Sequence, residues 1–208
     1  MKKTYHHGDL RNALIESAVA IVGEEGLGGL SLRKVARRAG VSHSAPAHHF
    51  GDLSGLLTAI ALQGYRQLTD CMRFSEAKAD PKDTLGRFQN IGQAYLDYAL
   101  AQTSYFRIMY SHFSEEAKVD TDLRAASSET MAILEKAILA CQKEGLVRPD
   151  NVTEQAGFVW SAVHGAALLL IEKQFRRKGI MVEDDFGSSV LRYIYQGLQP
   201  RTPPTSST

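Results

Sequence analysis

The chain has 208 residues, 44% of them hydrophobic and 23% charged, with a formal net charge of +1, as in an ordinary globular protein with a sizeable core. Its two cysteines, Cys71 and Cys141, lie far apart, which excludes a disulfide framework and a zinc-finger spacing and fits a reducing, cytoplasmic location. No apolar stretch follows the basic N-terminus, and the most apolar run, 158–171, is too short to span a bilayer, so we expect neither a secretory signal nor a membrane span.

Helical periodicity recurs along the chain and strand patterns are nearly absent, which predicts an all-α fold of about nine helices. The first three predicted helices are the short ones. The first is capped by Asp9 and stops near "EEGLGG". The second is capped by Ser31 and ended by Gly40, and the third is capped by Ser42 and ends near Phe50.

A longer fourth helix is predicted to begin near Asp52. Beyond it, the polar breaks "SEAKADPKD" and "SEEAKVDT" separate the remaining helical segments. These segments are "TLGRFQNIGQAYLDYALAQ", "SYFRIMYSHF", "DLRAASSETMAILEKAILACQKEG", 153–177 and 184–198. The last ten residues, 199–208, have the composition of a disordered tail.

Positive charge is concentrated in the second predicted helix. No acidic residue occurs from Gly26 to Gly51, and five of the seven histidines fall within the first 50 residues. The cations of this stretch are Arg33, Lys34, Arg37 and Arg38. A local basic patch on a nearly neutral chain suggests a surface for phosphates. A solvated helix face is the alternative.

The second and third predicted helices, joined by a tight glycine turn, have the plan of a helix-turn-helix, whose second helix enters the DNA major groove. Pro46 would be the fourth residue after the Ser42 cap, so we expect the third helix to start loosely or in 3₁₀ form and to be held by its neighbours. Phe50 would anchor this helix to the core. The side chains predicted to point outward are Ser42, His43, Ser44, Ala47 and His48.

The stretch "SLRKVARRAGVSHSAPAHHFGDLSGLL" resembles the DNA-binding signature of the TetR family of bacterial transcription regulators, and "GDLRNALIESAVAIVGEEG" resembles its first helix. The later "VWSAVHGAALLLI" resembles the Trp-His-Gly motif of one C-terminal ligand-domain subgroup. The resemblance implies a helix-turn-helix DNA-binding domain in residues 1–52 and a helical ligand-sensing and dimerisation domain in residues 53–198.

Three positions depart from the family pattern. Ala47 and His48 stand where two aromatic residues are frequent, and Leu53 stands where a phosphate-binding lysine is frequent. Phosphate contact would therefore depend more on other side chains. The residues expected to bind DNA are Lys2, Lys3, Tyr5, Arg33, Ser42, His43, Ser44, Ala47 and His48.

Two further groups of residues could bind a small molecule. Trp160 and His164 are four residues apart and share a helix face, so they either pack in the core or line a cavity. The second group is aromatic or thioether in character and fits either a core or a mostly apolar pocket. It consists of Phe88, Tyr95, Met109, Tyr110 and Phe113. Such a pocket suggests an apolar or aromatic effector.

No pattern indicates a metal, a cofactor or a catalytic set. The histidine pairs His6–His7 and His48–His49 are adjacent, and neighbours on a helix point about 100° apart, so neither is an obvious chelate. The two cysteines are expected to be buried thiols. With no nucleophile elbow, phosphate-binding loop or paired carboxylates, we expect a protein that is not an enzyme.

The resemblance and the basic helix pair together predict a homodimeric repressor that binds a nearly palindromic double-stranded DNA operator and responds to a small molecule. Helices 153–177 and 184–198 would pair across the two-fold axis. The face of the last helix chosen for that contact carries Val190, Leu191, Ile194 and Leu198. The alternatives are a helical small-molecule-binding protein or enzyme without DNA function, and a nonspecific nucleoid protein.

Overall fold

The computed structural model describes residues 7–111, 120–181 and 185–200. Within these ranges the chain forms ten α-helices, one 3₁₀ turn at Leu27–Gly29 and no strand, which confirms the all-α prediction. The helices are α1 (His7–Glu25), α2 (Leu32–Ala39), α3 (Ala45–Phe50), α4 (Leu53–Glu76), α5 (Thr84–Ala101), α6 (Thr103–Ser111), α7 (Thr121–Lys143), α8 (Val152–Ile171), α9 (Gln174–Arg177) and α10 (Phe186–Leu198).

The described residues divide into two compact units. The first comprises those up to Gln67 together with those of Gln102–Ser127, and the second comprises Leu68–Ala101 and those of Ser128–Thr208. Helix α4 is continuous and contributes residues to both units. The predicted division into residues 1–52, 53–198 and 199–208 stays a prediction.

The first unit is built around α1, which packs against α2 and α6. Leu14, Ile15, Ala18 and Val22 are completely buried, and their three- and four-residue spacing places them on one helix face. Helix α6 approaches closely, because a Cβ on Gly23 of α1 would lie 3.1 Å from the Ser104 hydroxyl oxygen.

A buried tyrosine adds a polar link between the same two helices. The Tyr105 hydroxyl of α6 donates a hydrogen bond to Glu16 Oε1 of α1 at 3.0 Å. Burial, followed by the neighbouring Glu16 carboxylate, raises the pKa of Tyr105 far above its ordinary value. Tyr105 therefore remains a neutral donor, and α6 is attached to α1 by both packing and a hydrogen bond.

The second unit has α5, α8 and α10 in mutual contact. Gly92 of α5 allows α10 to lie close, since a Cβ there would be 2.6 Å from Leu191 Cδ2. The end of α10 is fixed by Arg148, whose backbone N–H donates to the Leu198 carbonyl at 3.0 Å and whose guanidinium donates to the Gly197 carbonyl. This contact satisfies two carbonyls that the helix end would otherwise leave open.

The predicted long helix 153–177 is two helices. Helix α8 ends at Ile171, and α9 starts at Gln174 after Lys173, which has a left-handed backbone with φ 51°. Nothing in the sequence marks this break, because left-handed residues are usually glycine or asparagine. Helix α8 is long and apolar enough to cross a membrane by length and composition alone, a criterion that the core helix of a soluble protein also meets.

The predicted intermolecular face of the last helix is partly wrong. Ile194 and Leu198 are buried inside the second unit, and Leu191 lies against Gly92 of the same unit. These side chains fill the core of one chain, so they are unavailable to a second copy. The exposed large apolar side chain of α10 is Tyr193, at 66% exposure.

The prediction of two buried thiols holds for one cysteine. Cys141 is buried, and burial raises the pKa of its thiol to about 11. Cys71 is exposed on α4, so the prediction was wrong there. Partial burial still raises the pKa of Cys71, which keeps its reactive thiolate form scarce.

Candidate nucleic-acid interface

Helix α2 is closed at both ends by local hydrogen bonds. Ser31 caps the start by accepting from the Lys34 backbone N–H at 3.3 Å. Gly40 ends the helix with a left-handed backbone, φ 68° and ψ 32°. The Val41 N–H then donates to the Ala36 carbonyl at 3.0 Å, and Ala36 is completely buried. This combination fixes the turn through which the chain enters α3.

Helix α3 begins later than predicted. Its first residue is Ala45, and the residue before it, Ser44, makes no side-chain cap. The Ser42 hydroxyl lies 3.2 Å from the Ser44 hydroxyl, so the expected Ser42 cap is wrong. Pro46 is therefore the second residue of the helix and is buried. Backbone N–H groups in the first turn have no partner within the helix, so a proline is tolerated there. The Ala45 N–H donates to the Ser42 carbonyl at 3.1 Å, an i to i+3 bond of 3₁₀ type just before the helix.

The predicted DNA-facing side chains of α3 and the turn before it are exposed. They are Ser42, His43, Ser44, Ala47 and His48. Their contacts with DNA stay predictions. The proposed N-terminal contributors Lys2, Lys3 and Tyr5 lie outside the described residues.

The opposite side of α3 is attached to α1. The Arg11 guanidinium carbon lies 5.3 Å from the centre of the Phe50 ring, within the range of a cation–π interaction. His49 and Phe50 are both half-buried, and their ring centres are 6.2 Å apart. The half-buried ring of Phe50 and its contact with Arg11 hold the end of α3 in place.

Two of the four cations on α2 are already paired with acids of α1. Lys34 Nζ lies 2.5 Å from Glu25 Oε2. Arg38 donates two hydrogen bonds of 2.7 Å to the two carboxylate oxygens of Glu24, which lowers the pKa of that carboxyl. Glu25 and Glu24 lie just before the acid-free stretch Gly26–Gly51, nine and fourteen positions from the cations they pair with. The charge pattern within that stretch therefore did not predict these ion pairs.

The other two cations of α2, Arg33 and Arg37, are exposed. Across residues 7–111, 120–181 and 185–200 neither of them forms a salt bridge. Arg33 was expected to contact DNA. Arg37 was not singled out, since the sequence treats all four cations alike.

Three of the predicted ligand-binding residues form one hydrogen-bonded group in the second unit. The Tyr95 hydroxyl oxygen accepts from Trp160 Nε1 at 3.3 Å and lies 2.8 Å from His164 Nδ1. Burial lowers the pKa of His164, which favours a neutral ring whose Nδ1 accepts the Tyr95 proton. Phe88, also in this unit, is buried on α5.

The other predicted ligand-binding residues do not join this group. Met109 is completely buried in the first unit. Tyr110 has its ring centre 4.8 Å from that of Phe106 and 5.9 Å from that of Tyr65. Phe113 lies outside the described residues. The single aromatic set expected from the sequence is therefore divided between two units.

A surface hollow of about 510 Å³ lies in the first unit. Its walls include Arg11, His49, Asp52, Asp120 and Asp122. Two of these carboxylates have local structural roles, because Asp52 accepts from the Gly55 N–H and Asp120 from the Leu123 N–H at helix starts. This polar hollow differs from the mostly apolar pocket that was one of the two alternatives for the aromatic set.

Comparison with known proteins gives matches in both halves of the sequence. Residues 14–60 match the family described as "Bacterial regulatory proteins, tetR family", and residues 88–190 match "Tetracyclin repressor-like, C-terminal domain". The HTH-type transcriptional regulator BetI of Yersinia pestis (strain Pestoides F) is 33% identical over 87 residues, which are 42% of this chain and 44% of that protein. The match thus spans less than half the length of that curated relative.

Solved structures resemble the chain over most of its length. A protein of unknown function from Rhodococcus sp. RHA1 has a TM-score of 0.80 and 30% identity, covering 96% of this chain and 100% of that chain. A TetR family transcription regulator from Marinobacter aquaeolei VT8 has a TM-score of 0.70 and 19% identity, covering 92% and 96%. The second likeness is one of fold.

Proposed function

Because the chain belongs to the TetR family of bacterial regulatory proteins, we propose that it is a ligand-responsive repressor that binds a palindromic DNA operator as a homodimer. It acts by binding and not as an enzyme. The observation that carries the proposal is the exposed, mostly polar set of side chains on α3 and on the turn before it, which follows a left-handed glycine and is accompanied by two exposed arginines on α2.

The proposed DNA contacts follow from the chemistry of that face. His43 and His48 can donate to phosphate oxygens or to base edges, and Ser42 and Ser44 can bond to either. Arg33 offers a planar fork of donors that suits a phosphate. Two copies with their recognition helices about 34 Å apart would read the two halves of the operator.

The exposed apolar side chains of the second unit support contact with a second copy. On α8, Phe158, Leu168 and Leu169 are exposed, and Tyr193 is exposed on α10. A Cβ added to Gly165 of α8 would meet nothing within 4 Å, so another helix could approach closely. Exposed apolar side chains on neighbouring helices are typical of subunit interfaces.

The hydrogen-bonded group of Tyr95, Trp160 and His164 supports an uncharged effector. Burial lowers the pKa of His164, which favours its neutral form. Placing a charged group beside this half-buried histidine would be unfavourable without a counter-ion. We place the effector among apolar or aromatic molecules with one hydrogen-bonding group. By preferring one conformation, it would shift the population away from the DNA-binding form, with α4 as the connecting helix.

The protein would act in the bacterial cytoplasm, where the operator DNA is found. Helix α8 belongs to a packed unit with α5 and α10. We therefore propose no membrane-bound role.

Mobility shift on the region upstream of the protein's own gene tests the DNA-binding function. We expect a sequence-preferring shift at moderate salt and weaker binding by His43→Ala. Lys136→Ala is the matched control, because Lys136 is exposed on α7 of the second unit and should bind as wild type. Absence of any sequence preference, both on this DNA and after selection from random DNA, would reject the proposal.

Sedimentation analysis tests the dimer separately. Leu169→Glu places a charge on the exposed face of α8 and should shift the protein from dimer to monomer, whereas Leu139→Glu, also an exposed leucine but on α7, should not. If Leu169→Glu leaves the dimer intact, α8 is not part of the subunit interface.

Mass spectrometry of small molecules that co-purify with the protein would identify the effector.

A further inference from the structure

We propose that Arg37 is a phosphate-contacting residue of the DNA interface, acting together with Arg33, while Lys34 and Arg38 of the same helix fix α2 to α1. The inference rests on the proposed DNA-binding function. It divides four cations that look equivalent in the sequence into two that are available to DNA and two that are not.

The division follows first from the geometry of α2. Successive residues of an α-helix are rotated by about 100°, so residues four apart are separated by only about 40°. Arg33 and Arg37 therefore share one flank, and Lys34 and Arg38 share another, about 100° further round. Val35 and Ala36, both completely buried, lie on the side that faces the core.

The flank with Lys34 and Arg38 is occupied by α1. Lys34 pairs with Glu25, and the Arg38 guanidinium binds both oxygens of Glu24 at 2.7 Å. Because two guanidinium N–H groups of Arg38 already donate to Glu24, they are not available to bind a phosphate. Moving Arg38 to DNA would also leave Glu24 as an unpaired negative charge near a polyanion.

Among the described residues, the flank with Arg33 and Arg37 has no such partners. Both side chains are exposed, and within the described parts of the chain no acid pairs with either. Because of this exposure, each planar guanidinium fork remains available to donate to two oxygens of a phosphate.

Arg37 is also close to the recognition helix along the chain. Its carbonyl oxygen accepts the Gly40 N–H at 3.3 Å, so its backbone is part of the turn itself. The exposed Ser42 and His43 follow five and six residues later. A cation held by the turn would meet the DNA backbone beside the groove that α3 enters, which is where phosphate contacts set register.

The test is the salt dependence of binding to the operator, or to DNA selected from a random pool. Each phosphate contact contributes about 0.9 to the slope of log K against log[salt]. Arg37→Ala should therefore reduce the magnitude of the slope by about one unit. Arg37→Lys keeps the charge and should keep most of the slope.

Arg38→Ala is the matched control, because it removes the same charge one position away on the same helix. It should leave the slope nearly unchanged and lower the midpoint of thermal unfolding, since it breaks the contact with Glu24. Circular dichroism of each variant ensures that folded proteins are compared.

The outcomes separate the two proposals. Equal slope reductions for Arg37→Ala and Arg38→Ala would indicate a general effect of net charge and would overturn the division. Wild-type binding with an unchanged slope in Arg37→Ala would overturn the role of Arg37 and leave the DNA-binding function standing. If the wild-type protein binds no DNA sequence preferentially, both proposals fail.

Discussion

Replacing Gly40 by alanine isolates the backbone requirement of the turn between α2 and α3. Gly40 has φ 68° and ψ 32°, and a Cβ added there would meet nothing within 4 Å. The substitution therefore introduces no steric clash with neighbours, only the left-handed conformation of an L-residue, which costs roughly 1–2 kcal/mol. The reduced freedom of the unfolded chain offsets about 0.4–1 kcal/mol of this.

The net loss in the free energy of unfolding should be about 1 kcal/mol, which lowers the midpoint of thermal unfolding by roughly 2–4 °C in a chain of this size. Because the turn positions α3, the affinity for the operator should fall as well. Thermal unfolding at one fixed protein concentration and fluorescence anisotropy with operator DNA measure the two effects.

Gly40→Asn is the control, since asparagine adopts the left-handed conformation more readily than alanine. It should retain more stability and more affinity than Gly40→Ala. An alanine variant as stable as wild type, or more stable than the asparagine variant, would refute the assignment of the cost to backbone conformation.

Three further substitutions probe the interior. Tyr105→Phe removes the hydroxyl that donates to Glu16 and should lower the free energy of unfolding by about 1–2 kcal/mol in urea titrations. Phe106→Ala removes a completely buried ring and should lower it by about 3–5 kcal/mol. Burial lowers the pKa of His164, so the unfolded state binds its proton more readily. Stability from this residue should be complete above the ordinary histidine pKa of about 6.5 and be lost as pH falls through the folded-state value. His164→Asn should flatten that dependence.

The controls for these substitutions are found in the same chain. Phe74 is 66% exposed, so Phe74→Ala should change stability by less than about 0.5 kcal/mol. A loss as large as that of Phe106→Ala would contradict the burial argument. If Tyr105→Phe leaves the free energy of unfolding unchanged, the hydrogen bond to Glu16 makes no net contribution to stability. If the stability of His164→Asn falls with pH as it does in the wild type, groups other than His164 cause the loss of stability in acid.

The fold class and the helix pair follow from the sequence because they depend on local patterns. The serine before α2, the glycine after it and the apolar spacing of α1 each act within a few residues, and each predicted its feature correctly. The first residue of α3 was harder to predict from the sequence, since Ser42 and Ser44 are both suitable caps and Pro46 is compatible with more than one helix start. The left-handed Lys173 that separates α8 from α9 has no sequence signal.

Features that depend on contacts between distant residues were not predictable in this way. The charges of Glu24 and Glu25 lie outside the basic stretch and were not assigned to Lys34 or Arg38. The inward orientation of Ile194 depends on how α10 packs on α5, which periodicity does not specify. A helical pattern shows that one face is apolar, but not whether that face meets its own chain or a second copy.

The buried Pro46 helps to form α3 before it binds DNA. A six-residue helix does not persist in water on its own, yet this one has its first turn set by a proline ring, with φ near −65°, and its last residue in contact with Arg11. The recognition element is thus preorganised. Calorimetry of complex formation should give a heat-capacity change no larger than the buried apolar area requires, without the additional contribution that accompanies folding on binding.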